Sequence, residues 1–202
     1  MKSTKLGTCP ICKKKFPKMN SLQKCCSIPC AIEYVKIQTE KKKAKEHNEA
    51  QKLARAELKK RKEALKSRSD WMKDAQTAFN AWIRWRDRSE PCISCGCTNP
   101  PNLHGGQWDA GHYLSVGSHP ELRFNEANCH KQCKSCNAGA GKYARKNHTV
   151  AQEYRIHLIE RVGADVVEAL EGPHEPAKYT IDELKAIRDK YRKMLRCGQK
   201  SE

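Results

Sequence analysis

Apolar residues fall at helical spacing in three stretches of the chain, and in a fourth they nearly vanish. Behind Asp70, the residues Trp71, Met72, Ala75, Phe79, Trp82, Ile83 and Arg86 recur every three or four positions. This predicts a helix with Asp70 as its N-cap and an aromatic stripe turned to a core. Val150 to Leu170 repeats the pattern through Tyr154, Leu158, Ile159, Val162, Val166 and Val167, with a break at Gly163. Thr180-Ile181-Asp182-Glu183 reads as a capping box that opens a last helix through Leu195, with Leu184, Ile187, Tyr191 and Met194 on one face. Glu33 to Arg68 is different material: no Gly or Pro, and thirteen Lys or Arg against six Glu. These are good helix formers, and pairs such as Glu57 with Arg61 add support one turn apart, so one long basic helix is expected. Its sparse apolar residues keep no sustained heptad, which argues against a coiled coil. A solvated spacer and an arm that tracks phosphates remain equally open. Gln107 to Tyr113 reads as a short strand.

Composition explains why the elements are small. The chain has 202 residues, 38% of them hydrophobic, with only three Phe. That is thin for one large core and points to small units held by metal. Lys and Arg total 40 against 23 Asp and Glu, a net charge of +17, which favours a polyanionic partner. DNA fits better than a membrane, because no run approaches the roughly 20 apolar residues needed to cross a bilayer. The N-terminus also lacks the apolar region of a signal peptide, so a cytoplasmic protein is expected. In that compartment the twelve cysteines read as thiolate ligands rather than disulfides.

Eight cysteines fall into ligand-spaced pairs. Cys9 and Cys12, followed by Cys26 and Cys30 at the start of a helix, form a zinc finger of the treble-clef or ribbon kind. Cys25 is an alternative to Cys26, but the spacing to Cys30 favours Cys26. Cys92 with Cys95 and Cys133 with Cys136 can close a second tetrahedral site, which stands in for the core that this segment lacks. Cys25, Cys97, Cys129 and Cys197 are left over. Four segments follow: a zinc finger over 1–35, basic and amphipathic helices over 36–89, a zinc-stapled module over 90–147 and a helical region over 148–202. The expected fold class is α+β, mostly helical, with two zinc-stabilised modules joined by the long basic helix. Trp85 with Arg84, Arg86 and Arg88 is a candidate contact for a nucleic-acid backbone.

Between the two central cysteine pairs lie Asp109-Ala110-Gly111-His112 and Asn128, with Asn137 directly after Cys136. Phosphodiester cleavage needs an activated water, a divalent cation and stabilisation of the departing oxygen. A neutral histidine can take the proton from water near pH 7, and His112 is the candidate. Asparagine carbonyls are hard donors that suit Mg²⁺ or orient an imidazole, and Asn128 and Asn137 supply them. The order of these residues resembles the HNH (His-Me finger) nucleases, whose ββα-metal element is often stapled by two Cys-x-x-Cys pairs. That resemblance implies His112 as general base, Asn128 as the residue that orients it, and Asn137 as ligand of a catalytic magnesium. The family often has a metal-binding Asp just before the base, where this chain has Gly111. Asp109 is then the candidate, and it reaches the same metal as His112 only if the strand bulges. His130 reads as structural, with phosphate contact or zinc ligation as alternatives. His104 and His119 read as loop residues. Arg123, Lys131, Lys142, Arg145 and Lys146 read as solvent-facing unless the site brings them to phosphates.

The N-terminal Cys-Pro-x-Cys finger, the basic helix, Asp109-Ala110-Gly111-His112-Tyr113, Cys133-Lys134-Ser135-Cys136-Asn137 and Leu170-Glu171-Gly172-Pro173-His174-Glu175-Pro176 together resemble the NinG family, the Rap recombination proteins of lambdoid phages. The resemblance implies a magnesium-dependent endonuclease that cuts Holliday junctions and D-loops, with no small-molecule substrate. A two-fold homodimer would present one centre to each opposed strand. The alternatives are a non-catalytic zinc protein that binds DNA or a recombination partner, and a structural adaptor.

Overall fold

The structure, a computed structural model, describes residues 6–103, 105–138 and 149–200. His104, Lys142, Arg145 and Lys146 lie outside the described residues. The fold is mostly helical α+β with two small sheets, and the chain divides into two compact units, one ending at Leu65 and one starting at Lys66.

In the first unit, β1 (Leu6–Thr8) pairs antiparallel with β2 (Lys15–Pro17), with Gly7 opposite Phe16. Phe16, Cys9 and Cys25 are buried together, packed by Ile11 and Tyr34. α1 (Ile28–Ala64) runs 37 residues, or about 55 Å at 1.5 Å per residue, and buries none of them. It begins five residues before the expected Glu33, because Pro29 sits in the first turn, where its missing N–H is no loss. It stops at Ala64 rather than Arg68, because Ser67 caps the next helix.

The second unit opens with α2 (Arg68–Arg86). The expected cap, Asp70, is instead the third helical residue. The Ser67 hydroxyl accepts from the Asp70 N–H at 3.2 Å, and the Asp70 carboxylate accepts from the Ser67 N–H at 3.1 Å. This is a reciprocal capping box. α6 (Ile181–Gly198) opens with the capping box read at Thr180 and Glu183, and lies alongside α2 in the same direction. Trp71 packs with Leu184, Phe79 meets Tyr191 edge-on at 5.0 Å between ring centroids, and Trp85 lies against Gly198. A Cβ at Gly198 would come within 2.0 Å of the Trp85 ring, so only glycine permits this approach.

Between these helices and the rest of the unit sits a hairpin of β3 (Trp108–His112) and β4 (Cys129–Cys133), which runs into the short α3 (Lys134–Asn137). The strands pair antiparallel, one residue to one, from Trp108↔Cys133 to His112↔Cys129. Ala110 and Cys129 turn one face of the hairpin into the core of Phe79, Ile83 and Tyr191. On the other side, α4 (Val150–Val162) and α5 (Ala164–Glu171) bring Tyr154, Leu158, Val167 and Leu170 onto Ile93 and Leu122. The break between α4 and α5 falls at Gly163, whose φ of 92° is left-handed space that favours glycine.

Lys131, expected on the surface, is buried, and Arg86, the last position of the α2 stripe, is half-buried. Arg86 donates to Asp87 at 2.6 and 2.9 Å and to the carbonyls of Glu126 and Cys129, both at 2.9 Å. It therefore ties α2 to β4, and its guanidinium is engaged within the protein rather than free for a nucleic-acid phosphate. Lys131 is buried because its ammonium donates to the Arg88 carbonyl at 3.0 Å and lies 4.2 Å from the centroid of the Trp108 ring. Burial works to raise the Asp87 carboxyl, but hydrogen bonds from His130 and Arg86 outweigh it and hold that group well below the usual carboxylate range. His130 is thus structural, buried against Asp87 at 3.4 Å. No helix among the described residues is long and apolar enough to cross a membrane.

Phe79 is fully buried where α2, α6 and the hairpin meet. Phe79→Ala should lower the stability of the second unit by about 3–5 kcal/mol. Equilibrium urea unfolding checks this, and a loss under about 1 kcal/mol would contradict the packing described.

Candidate functional site

Two groups of four sulfurs have the geometry of metal centres. In each group, Cys9–Cys12–Cys26–Cys30 and Cys92–Cys95–Cys133–Cys136, all ligand atoms lie within 4.8 Å of one another. Zinc held tetrahedrally at about 2.3 Å from each sulfur sets sulfurs about 3.8 Å apart. The Cys26–Cys30 and Cys95–Cys133 separations are 3.8 Å, and Cys12–Cys26 is 3.4 Å. Short turns aim the knuckles. Lys13, at φ 62°, closes the first with its N–H on the Cys9 carbonyl at 2.9 Å. Gly96 closes the second with its N–H on the Cys92 carbonyl at 2.9 Å.

The chemistry of the donors calls for a dication. Burial alone would raise the Cys9 thiol, but backbone N–H groups of Cys12, Cys26 and Ile11 bring it down to about 6. Its neighbour Cys26 is pushed up to about 12 by its hydrogen bond with Cys12 and by burial. One thiolate is favoured and the next resisted, and a dication among the four sulfurs would favour all of them as thiolates. Both groups fit zinc. Cys25 is buried beside Cys9 but outside the four, as the spacing to Cys30 predicts.

The second sulfur cluster fixes the hairpin that carries the other candidates. Cys133 ends β4, and its backbone N–H donates to the Cys92 sulfur at 3.2 Å. Asn137, which closes α3, donates from Nδ2 to Asp109 Oδ2 at 3.1 Å. Lys134 Nζ holds the other Asp109 oxygen at 3.2 Å. Asp109 and Asn137 are thus brought together, with Lys134 as a third member that motif reading missed. Its signal was its place between Cys133 and Cys136, which puts it on the first turn of α3.

His112 stands apart from that pair. β3 pairs without a bulge, so side chains three apart face opposite sides, Asp109 on one and His112 on the other. The His112 ring lies 6.1 Å from that of Phe79, and its Nε2 donates to the Arg123 carbonyl at 2.9 Å. With Nε2 protonated, Nδ1 keeps its lone pair, 3.8 Å from the Cys129 sulfur. Burial lowers the ring's pKa below its usual 6.5, the Arg123 carbonyl opposing, so the imidazole is neutral at pH 7. The Cys129 thiol, raised by burial, stays protonated and is a weak donor.

Asn128 does not reach this ring. Its Oδ1 accepts from the Leu114 N–H at 2.9 Å, and its Nδ2 donates to the carbonyls of Leu114 at 3.0 Å and Leu122 at 3.4 Å. Fully buried, it clamps the two ends of the loop between β3 and β4, and that loop delivers the Arg123 carbonyl to His112. Gly111 shares the Asp109 face and is pressed by Gln132: a Cβ there would meet the Gln132 side chain at 2.0 Å. Ser94 accepts from that Gln132 at 2.7 Å, so the space beside Gly111 on the Asp109 face is already filled.

The chain should carry two zinc ions. Cys12→Ser should remove one and spare the second unit, and Cys133→Ser should remove the other and loosen the hairpin. Elemental analysis with thermal unfolding checks this, and loss of both ions from either single substitution would contradict two separate centres.

The family described as Bacteriophage Lambda NinG protein matches residues 1–202. A protein ninG of Escherichia phage lambda is 48% identical over 139 residues, 69% of this chain and 62% of that relative. The chain thus spans less than two thirds of the lambda relative's length. A protein ninG of Escherichia phage 933W is 40% identical over 199 residues, 93% of this chain and 91% of the relative. One from Salmonella phage P22 is 47% identical over 139 residues, 69% of this chain and 63% of the relative. No solved structure matches the chain. With a match that covers the full sequence, and relatives at 40–48% identity in several phages, the chain belongs to the NinG family.

Proposed function

We propose that this chain is an endonuclease of the HNH type that cuts branched DNA, Holliday junctions and D-loops among them, during phage recombination in the host cytoplasm. The observation that carries the reading is His112: a neutral imidazole at the end of a zinc-stapled strand, its Nε2 proton given to the Arg123 carbonyl and its Nδ1 left as acceptor. In that role Nδ1, which now faces the buried Cys129 sulfur at 3.8 Å, would have to turn from it to take the proton from the attacking water as the new phosphorus–oxygen bond forms and the 3′ oxygen departs. Asn128 acts through the loop that presents Arg123, not on the ring itself.

Asp109 and Asn137 would hold the magnesium. A carboxylate and an amide carbonyl are hard donors, and Mg²⁺ is commonly bound by few protein oxygens with water completing its shell. When bound, the ion neutralises the phosphate and steadies the leaving oxygen. Asp109 lies on the same face as position 111, where HNH nucleases often have their metal-binding Asp. Lys134 neutralises Asp109 and would have to give way for an ion to be held there. A two-fold dimer would set one such centre on each of two opposed strands.

A second reading, a zinc protein that binds DNA without cutting it, is favoured by one observation: Asp109 and His112 face opposite sides of an unbulged strand. A junction cleavage assay with magnesium present or withheld separates the two. His112→Ala should slow cleavage by about 10²–10⁴-fold while junction binding stays within a few-fold of wild type. Cleavage that persists would remove His112 as base, and its absence in the wild type with magnesium would favour the binding protein.

The rate should also report the ring's ionisation. Protonation removes the base, and burial lowers the pKa, so the acid limb of kcat/KM should fall below pH 6.5. An acid limb at or above pH 6.5 would contradict the assignment.

A further inference from the structure

α1 carries its charge in a pattern that neither the finger nor the hairpin requires. Lys41, Lys45, Asn48, Lys52, Arg55, Lys59 and Lys62 follow one another at alternating steps of four and three residues. On an α-helix this spacing draws one seam, which drifts only about 20° per heptad and stays within roughly 100° of arc over the whole run. Six of the seven positions are cationic and none is acidic; Glu33, Glu40, Glu46, Glu49 and Glu57 stand outside that arc, and Glu63 falls at its edge. Every residue of the seam is exposed. Lys45 faces Glu49 at 4.0 Å, an exposed pair of small energetic weight.

We infer that this seam is a docking surface for the phosphate backbone of duplex DNA, separate from the hairpin site. From Lys41 to Lys62 it extends about 32 Å at 1.5 Å per residue, close to the roughly 34 Å of one turn of B-DNA. Seam positions of this spacing are where a coiled coil needs apolar side chains; six cations there repel a second copy of the helix. A membrane surface needs an apolar face, and the apolar residues of α1 are too sparse to form one: Leu53 and Leu58, the two leucines within the span of the seam, stand about 140° apart around the helix. A polyanion of regular spacing is the partner that gains from the alignment, through release of its condensed counterions. That the polyanion is DNA rests on the function proposed above; the seam itself is read from α1 alone.

The test compares two charge-matched variants of the full chain. K41Q/K52Q/R55Q/K59Q removes four seam charges, and K42Q/K43Q/K60Q/R61Q removes four from other sides of the same helix. Glutamine keeps helix propensity, and circular dichroism should show equal helix content in both. Binding to a duplex and to a four-way junction is measured over a salt series. The seam variant should lower the slope of log K against log salt by about 3–4, at about 0.9 per lost phosphate contact, and the control by less than about 1. Equal losses in the two variants would reduce the effect to total charge and overturn the seam, as would no loss in either. Binding to phosphatidylserine vesicles that falls with the seam variant while DNA binding is unchanged would point to a lipid surface instead. Cleavage per bound complex, read at low salt with saturating protein, should be unchanged in the seam variant. The His112→Ala chain should keep the wild-type salt slope, so the failure of either proposal is visible without the other.

Discussion

Four sulfur atoms from the two ends of a loop-rich segment must come within one coordination sphere, and the geometry of the second unit follows from that closure. Cys92 and Cys95 enter from the chain that leaves α2, and Cys133 and Cys136 from the end of β4 and the turn of α3. Once they meet, β4 has a fixed end and β3 has a fixed partner. The hairpin can then be thin, because one face rests on the Phe79 core and the other on the Tyr154 core. The Tyr154 hydroxyl even reaches the Gly111 carbonyl at 2.9 Å, bracing the strand one residue before His112. A segment with so little apolar content would not hold two strands in register by burial alone.

The same closure sorts the polar groups to two sides. Asp109, Lys134 and Asn137 form a neutralised cluster on one face, and His112 sits on the other, its proton committed to the Arg123 carbonyl. Neutralised and hydrogen-bonded, these groups cost little to hold in place. A hydrolytic site would have to draw on these groups from two sides, because the strand itself stands between the imidazole and the hard-oxygen pair. Asn128 illustrates how a buried amide serves such a site indirectly: it spends all its hydrogen bonds on the backbone of Leu114 and Leu122. The loop, and not the ring, is what it orients.

Much of this was legible in the chain because the signals are local. Cysteine spacing gave both ligand sets, including Cys26 over Cys25, and the Thr180 capping box and the Gly163 break lie where the pattern put them. What escaped was set by partners distant in sequence. Lys131 reads as a surface cation, and only the meeting of β4 with Asp87, Arg88 and Trp108 buries it. The role of Asn128 depends on which backbone lies over it, and no spacing rule encodes that. Asp70 reads as a cap because it precedes the aromatic stripe; Ser67 three residues earlier completes the box that the stripe alone does not reveal. The α1 seam is equally local, but cations carry its register, and apolar periodicity is blind to them.

The closure by sulfur is best measured by hydrogen exchange at the β3–β4 amides, in the zinc-loaded chain and after the metal has been stripped. The amides of Tyr113, Lys131 and Cys133 should be protected with zinc bound and exchange rapidly without it. Unchanged protection in the stripped chain would mean that packing alone sets the hairpin, and the metal would lose its place at the root of the structure.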